Sequence, residues 1–271
     1  MSSYAGKRVI VTGGGGSGMG SAVVEQLSAL GAEVHVLDLR EPTHEVASFH
    51  AVDLGDPDAI TGAADAIGGP VDALFNCVGV PGPPFVEALD TMLINFAGVR
   101  LLSDAVAEQM PAGGAIVSVA SAAAAGWQQQ LDSFLGLVQT DGFAEARPWC
   151  EANPELVGAA YTPSKVAITI WTAYACSDLG ARGIRINCTL PGPTETPMLP
   201  DFKEKLRDGY WDEYPIPLGR FQTPAEQAGA LVFLGSDAAA AITGVALLTD
   251  GGTVSAVATG RAALPAFALR G

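Results

Sequence analysis

The chain has 271 residues, 49% hydrophobic and 16% charged, and a mean hydropathy of +0.30, which suits one large core built on a sheet buried on both faces. A formal net charge of −15 at pH 7 repels phosphate backbones and anionic lipid, and so argues against nucleic acid and membrane surfaces as partners. The longest apolar stretches, 120–126 and 238–248, are too short or too interrupted to span a bilayer.

No linker or charge run divides residues 1–271, so a single domain is expected. Arg8–Thr12 reads as a first strand running into glycines, and residues 21–30 follow with helical spacing at Val23, Val24, Leu27 and Leu30 before Gly31 stops them. Strand patterns recur at Glu33–Asp38, 48–52, 71–76, Ala115–Val119, 184–190 and 245–249. Between them lie helix patterns, the clearest at 89–109, 163–179 and 224–234. This alternation predicts a doubly wound α/β fold with about seven parallel strands and ligands at their carboxyl ends. One stretch breaks the rhythm, because about forty residues separate Ala120 from Tyr161, too long for an ordinary loop. Its apolar and aromatic content predicts one or two small helices of its own over 122–158. The chain enters its first strand within a few residues, with no secretory h-region, and a cytoplasmic location is the expectation. Cys77, Cys150, Cys176 and Cys188 have neither metal nor redox spacing, and His35, His44 and His50 form no HExxH pattern, so reduced thiols and no metal site are expected.

Between the first strand and first helix stands Thr12-Gly13-Gly14-Gly15-Gly16-Ser17-Gly18-Met19-Gly20. Glycines there let backbone N–H groups and the helix dipole approach a pyrophosphate. A glycine cluster alone also fits a flexible turn; its position between a strand and an amphipathic helix favours the nucleotide site. Eighteen residues after Gly20, Asp38 ends the second strand. A carboxylate there accepts from ribose hydroxyls and repels a 2′-phosphate, which favours NAD over NADP. Arg40 pulls the other way, either as a 2′-phosphate partner or as a solvated surface residue.

Tyr161-Thr162-Pro163-Ser164-Lys165 opens a helix whose i, i+4 spacing puts phenol and ammonium on one face. Such a pair is commonly surface decoration, but Asn95 in an apolar helix, Ser121 after the fifth strand and the Pro191-Gly192 turn fall where a nicotinamide site would be. Together these motifs resemble the short-chain dehydrogenase/reductase family over residues 6–253. The resemblance implies an acid/base role for Tyr161, ribose binding and a lowered phenol pKa from Lys165, a substrate-oxygen bond from Ser121 and a relay water at Asn95. Ser118 competes with Ser121, and the family's strand-end pattern favours Ser121. The resemblance further places Asp53 and Leu54 at the adenine and Leu39 beside Asp38. Asn76, Val78 and Gly79 match the family's Asn-Asn-Ala-Gly, with Cys77 at the second asparagine. Pro191, Gly192, Thr194, Thr196 and Met198 match the segment that grips the carboxamide.

The glycine loop has one residue more than the family pattern, so either it bulges or Gly13 takes the threonine position. The second alternative is favoured here, which makes Gly14, Ser17, Gly18, Met19 and Gly20 the binding set. The long insertion resembles that of the bacterial 3α-hydroxysteroid and coniferyl-alcohol dehydrogenase branch. Three expectations go with this: a bulky apolar alcohol or ketone as substrate; an insertion and a 196–217 loop that overhang the nicotinamide, with Trp127 and Trp211 facing it; and a homodimer in preference to a tetramer, while NAD remains the cofactor expected from Asp38. The competing readings are an inactive NAD-binding sensor and a reductase of other ketones.

Overall fold

In the computed structural model, which describes residues 4–266, the strands are β1 (Arg8–Thr12), β2 (Glu33–Asp38), β3 (Ser48–Ala51), β4 (Ala73–Asn76), β5 (Ala115–Val119), β6 (Arg185–Pro191) and β7 (Ala246–Thr249). All neighbours pair in parallel in the order β3-β2-β1-β4-β5-β6-β7. The order reverses between β1 and β4, and the crevice at such a switch point is where open α/β sheets take ligands.

The helices along the chain are α1 (Met19–Ala29), α2 (Pro57–Ile67), α3 (Ala88–Met92), α4 (Val99–Ala107), α5 (Leu131–Val138), α6 (Gly142–Ala152), α7 (Pro154–Val157) and α8 (Tyr161–Ala181), then α9 (Leu199–Lys205), α10 (Tyr210–Glu213), α11 (Pro224–Gly235) and α12 (Thr253–Ala258). Successive strand residues serve opposite layers: Val9 and Val11 pack with α1 and α11, and Ile10 packs with α2, α4 and α8. Local chemistry sets the helix starts. Asp56 accepts from the N–H of Asp58 and Ala59 ahead of Pro57, and Thr223 and Glu226 form a capping box ahead of Pro224.

Two sequence expectations differ from the structure. The helix over 89–109 is interrupted by a π-helical turn at Leu93–Gly98. Leu93, Phe96, Ala97 and Gly98 are all buried, so no apolar stripe marks where the turn widens. The insertion forms two 3₁₀ turns (Ala122–Ala124 and Trp127–Gln130) and then α5, α6 and α7. That is more than the one or two helices expected, and most of the insertion belongs to the core and does not overhang the site: Phe134, Leu137, Val138, Ala146 and Cys150 are buried with residues of α8. Arg100 on α4 fastens it, donating from Nη1 to the Val138 carbonyl and Thr140 Oγ1 and from Nη2 to the Thr140 carbonyl.

Candidate active site

At the carboxyl end of β1, Thr12 Oγ1 accepts from the N–H of Cys77 (3.0 Å) and Val78 (3.1 Å), tying β1 to the residues that follow β4. Thr12 therefore keeps the threonine position, and the extra residue bulges the loop beyond it. Gly13, at φ +73, has no hydroxyl to replace that tie. The bulge lies against the end of β2, where a Cβ on Gly15 would fall 1.8 Å from the Arg40 carbonyl oxygen. Asp38 holds it there, accepting from Gly15 N at 2.8 Å and from Arg40 N at 2.9 Å. Gly14 and Gly20 are closely packed: a Cβ on Gly20 would lie 2.3 Å from the Gly13 carbonyl oxygen. Ser17 is exposed at the loop's crest, and Gly18 is the N-cap of α1.

The start of α1 has no side-chain cap and no acidic residue in its first turn. Its N–H groups and positive dipole end are left for an anion, as a dinucleotide's pyrophosphate requires. Leu39 is exposed beside Asp38, and Asp53, exposed after β3, accepts from Gly55 N while Leu54 is buried. These residues lie at the same edge of the sheet and fit the adenosine half of such a ligand.

Tyr161 is the first residue of α8, and Lys165 follows one turn later, 3% exposed. Lys165 Nζ donates to the Val119 carbonyl at 2.8 Å and lies 5.8 Å from the centre of the Tyr161 ring. Ser121, just beyond β5, lines the same cavity as the Tyr161 phenol, and its Oγ accepts from Ala123 N at 3.2 Å. Ser118 has another task, accepting from Asn76 Nδ2 at 3.2 Å within the buried sheet. Asn76 also donates to Ser103 Oγ, which makes it a strand-end brace.

The side chain of Asn95 is engaged with the backbone of Val80, accepting from its N–H at 2.8 Å and donating to its carbonyl at 3.0 Å. It thereby fixes Gly79, whose Cβ, if it had one, would sit 3.3 Å from Lys165 Nζ. Burial pushes the Lys165 ammonium down to about 8. Burial also pushes the Tyr161 phenol above its ordinary value, with the nearby Ser121 hydroxyl opposing. The resemblance implied a lowered phenol pKa; in the chain itself, desolvation raises it.

A cavity of about 770 Å³ opens over this group. Its floor includes Met19, Cys77, Val78, Gly79, Ser121, Tyr161 and Lys165, with Pro191, Gly192, Thr194, Thr196 and Met198 along one side. The 196–217 segment supplies Leu199, Phe202, Tyr210, Trp211 and Tyr214 as expected. Phe202 meets the Tyr161 ring edge-on at 4.8 Å between centroids. The insertion contributes only its first residues and Gln129, and Trp127 packs against the core instead of facing the cavity. The sequence reading missed the opposite wall, made by Val254, Val257, Ala258 and Leu264 beyond the last strand. A tail of small residues carries no periodic signal that would have placed it there. Among the described lining residues, Lys165 alone is charged. The described residues hold no cluster of three or more metal-ligating side chains, and none of their helices is long and apolar enough to cross a membrane.

Residues 7–131 match the short chain dehydrogenase family, and residues 152–254 match the family described as enoyl-(acyl carrier protein) reductase. The chain is 30% identical over 253 residues to a coniferyl-alcohol dehydrogenase of Pseudomonas sp., covering 92% of this chain and 97% of that protein. It is 33% identical over 272 residues to a D-threitol dehydrogenase of Mycolicibacterium smegmatis, covering 91% and 92%. Among solved structures, the 3-alpha-hydroxysteroid dehydrogenase of Pseudomonas sp. B-0831 complexed with NADH superposes with a TM-score of 0.77 at 29% identity, over 95% of this chain and all of that one.

Proposed function

The chain belongs to the short-chain dehydrogenase/reductase family of alcohol and carbonyl oxidoreductases, and we propose that it uses NAD(H) to interconvert a secondary or allylic alcohol and its carbonyl on a bulky apolar substrate. The observation that carries this reading is the Tyr161 phenol, with Ser121 in the same lining and the buried Lys165 5.8 Å from its ring centre, in a cavity whose other described walls are uncharged. A catalytically inactive sensor would have no use for such a constellation.

A bound nicotinamide supplies or accepts the hydride. The chain's own residues handle the oxygen and the proton. In oxidation, Tyr161 Oη takes the hydroxyl proton while Ser121 Oγ holds the same oxygen; in reduction the proton returns to the carbonyl oxygen by the same route. Lys165 places positive charge beneath the phenol and favours its ionised form as the proton arrives or leaves. The uncapped start of α1 would hold the pyrophosphate, and Asp38, already oriented by two backbone N–H groups, would accept from the adenosine ribose.

Kinship alone leaves the substrate open, since the relatives include enzymes of an aromatic alcohol and of a polyol. Cavity chemistry supports the apolar choice: Met, Phe, Trp and Val side chains gain most from burying a large hydrocarbon frame. Assaying coniferyl alcohol, a 3α-hydroxysteroid and threitol with NAD and with NADP tests the reading. The expected result is NAD reduction fastest with the two apolar alcohols. Threitol as the best substrate, or NADP as the better acceptor, would overturn it.

A further inference from the structure

Helix α9 lends Leu199 and Phe202 to the lining of the cavity and carries Phe202 onto the Tyr161 ring. Its last residue, Lys205, is anchored far away in sequence. Nζ of Lys205 donates to the carbonyl of Pro81 and, at 3.3 Å, to that of Gly82. It also lies 5.5 Å from the ring centre of Phe85 and 5.6 Å from that of Phe202. The carbonyls it grips belong to the segment that abuts the start of α8, because a Cβ on Gly82 would be 3.5 Å from Tyr161 N and 3.6 Å from Ala160 Cβ.

An ordinary surface lysine keeps its ammonium in water. Here burial lowers the pKa of Lys205, with only the Asp201 carboxylate opposing. Two carbonyls and two aromatic faces replace the lost water; Phe202 lies on α9 itself, but the two carbonyls and the Phe85 ring are met only while α9 is docked. If α9 lifted, the ammonium would regain water and Phe202 would leave Tyr161, so the two contacts open or close together.

We propose that Lys205 is a latch: it pins α9 to the Pro81–Gly82 segment and so makes Phe202 a wall that positions substrate over Tyr161. Lys205 touches no reacting atom and is a positioning residue. The substrate part of this inference rests on the alcohol-oxidoreductase reading; the latch itself does not.

Lys205→Met keeps the aliphatic stem and removes the charge. Hydrogen–deuterium exchange over 199–206, with NADH present, should rise about tenfold in this variant, as a locally opened segment does. The KM for a 3α-hydroxysteroid should rise about tenfold while kcat changes less than about threefold and the Kd for NADH stays within about twofold, the signature of lost substrate positioning. Lys205→Arg should restore most of the KM, since guanidinium also binds carbonyls and aromatic faces. Phe85→Leu should give a smaller rise that does not add to that of Lys205→Met.

Unchanged exchange in Lys205→Met would overturn the latch. Raised exchange with unchanged KM would reduce the lysine to a structural tie and overturn its positioning role. If the wild-type chain oxidises none of the alcohols tested, the proposed function falls, and the exchange comparison still decides whether the latch exists.

Discussion

Lys165 Nζ donates to the Val119 carbonyl at 2.8 Å, joining the helix that begins with Tyr161 to the last residue of β5. The bond orients an ammonium that burial disfavours. The unfolded chain titrates this lysine near 10.5 and the folded chain near 8. Between those values the unfolded state holds more protons, so this group makes stability rise with pH, and below 8 the full penalty for burying charge applies. Lys165→Met should flatten that rise in denaturation experiments run from pH 8 to 10.5, and should also weaken NADH binding and slow turnover. An identical pH dependence of stability in wild type and variant would contradict the assignment.

Tyr161→Phe removes only the proton-exchanging hydroxyl, so turnover should fall by about 10²–10⁴-fold while NADH still binds. Because burial holds the phenol above its ordinary pKa, alcohol oxidation, which needs the phenolate, should accelerate toward alkaline pH, and carbonyl reduction, which needs the phenol, should slow. Ser121→Ala should also depress turnover. Ser118→Ala should leave turnover intact and lower stability by about 1 kcal/mol, the worth of one buried hydrogen bond to Asn76. A reversal of the two serine phenotypes would assign the catalytic hydroxyl to Ser118.

The strands were legible because short apolar runs between turn residues leave few alternatives: Arg8–Thr12, Glu33–Asp38 and Ala115–Val119 begin and end where the pattern puts them. Asp38, Ser121, Tyr161 and Lys165 could be singled out because the family resemblance ties each to a strand end or a helix start, and those strand ends and that helix start stand where the pattern puts them. What the sequence hides is long-range reach. Nothing near Lys205 points to a carbonyl 124 residues earlier, and Thr12's bond to Cys77 and Val78 decides the loop's register from across the sheet. The insertion's aromatics suggest an overhang of the nicotinamide because composition reports burial without reporting what is buried against what.

Cofactor choice should turn on Asp38. Its carboxylate accepts two backbone N–H bonds, so Asp38→Ala would free the Gly15 bulge as well as remove the negative charge. The NAD-over-NADP preference in kcat/KM should fall by about tenfold to a hundredfold, the equivalent of about 1.5–3 kcal/mol for bonds to a charged group. Arg40 lies close by, its Nη2 3.3 Å from where a Gly16 Cβ would stand. Arg40→Ala in the Asp38→Ala background should therefore reduce whatever NADPH activity that variant gains. A wild-type chain that uses both cofactors equally would show that Arg40 already outweighs the carboxylate.

The packing of α5 and α6 onto the α4–α8 face leaves that face covered within one chain. We propose a homodimer formed through α11 and β7, where Phe233 and Leu248 are exposed at 41% and 36%. Light scattering should give the mass of two chains, and Phe233→Glu should shift it toward one. Arg100→Ala should leave that interface alone but lower stability by about 2–3 kcal/mol, because three part-buried bonds to the insertion are lost at once. A wild-type tetramer would mean that the insertion does not block the second interface.

The last prediction concerns the aromatic wall. Trp211 stacks edge-on with Tyr210 at 5.3 Å and with Phe221 at 5.8 Å while one side lines the cavity, so its indole is held in place without a substrate. A preorganised apolar surface returns binding energy in proportion to the hydrocarbon it covers. Truncating it should therefore hurt large substrates most. In Trp211→Ala, KM should rise by about tenfold or more for a 3α-hydroxysteroid, where about 1.5–3 kcal/mol of apolar burial is lost, and should change little for a small secondary alcohol such as propan-2-ol. Trp127→Ala offers the contrast, because that residue packs on the core and not in the cavity: its thermal midpoint should fall while the ratio of KM values for the two substrates stays put. Equal losses for large and small alcohols in Trp211→Ala would show that the indole supports the fold of the 196–217 segment and does not read the size of the substrate.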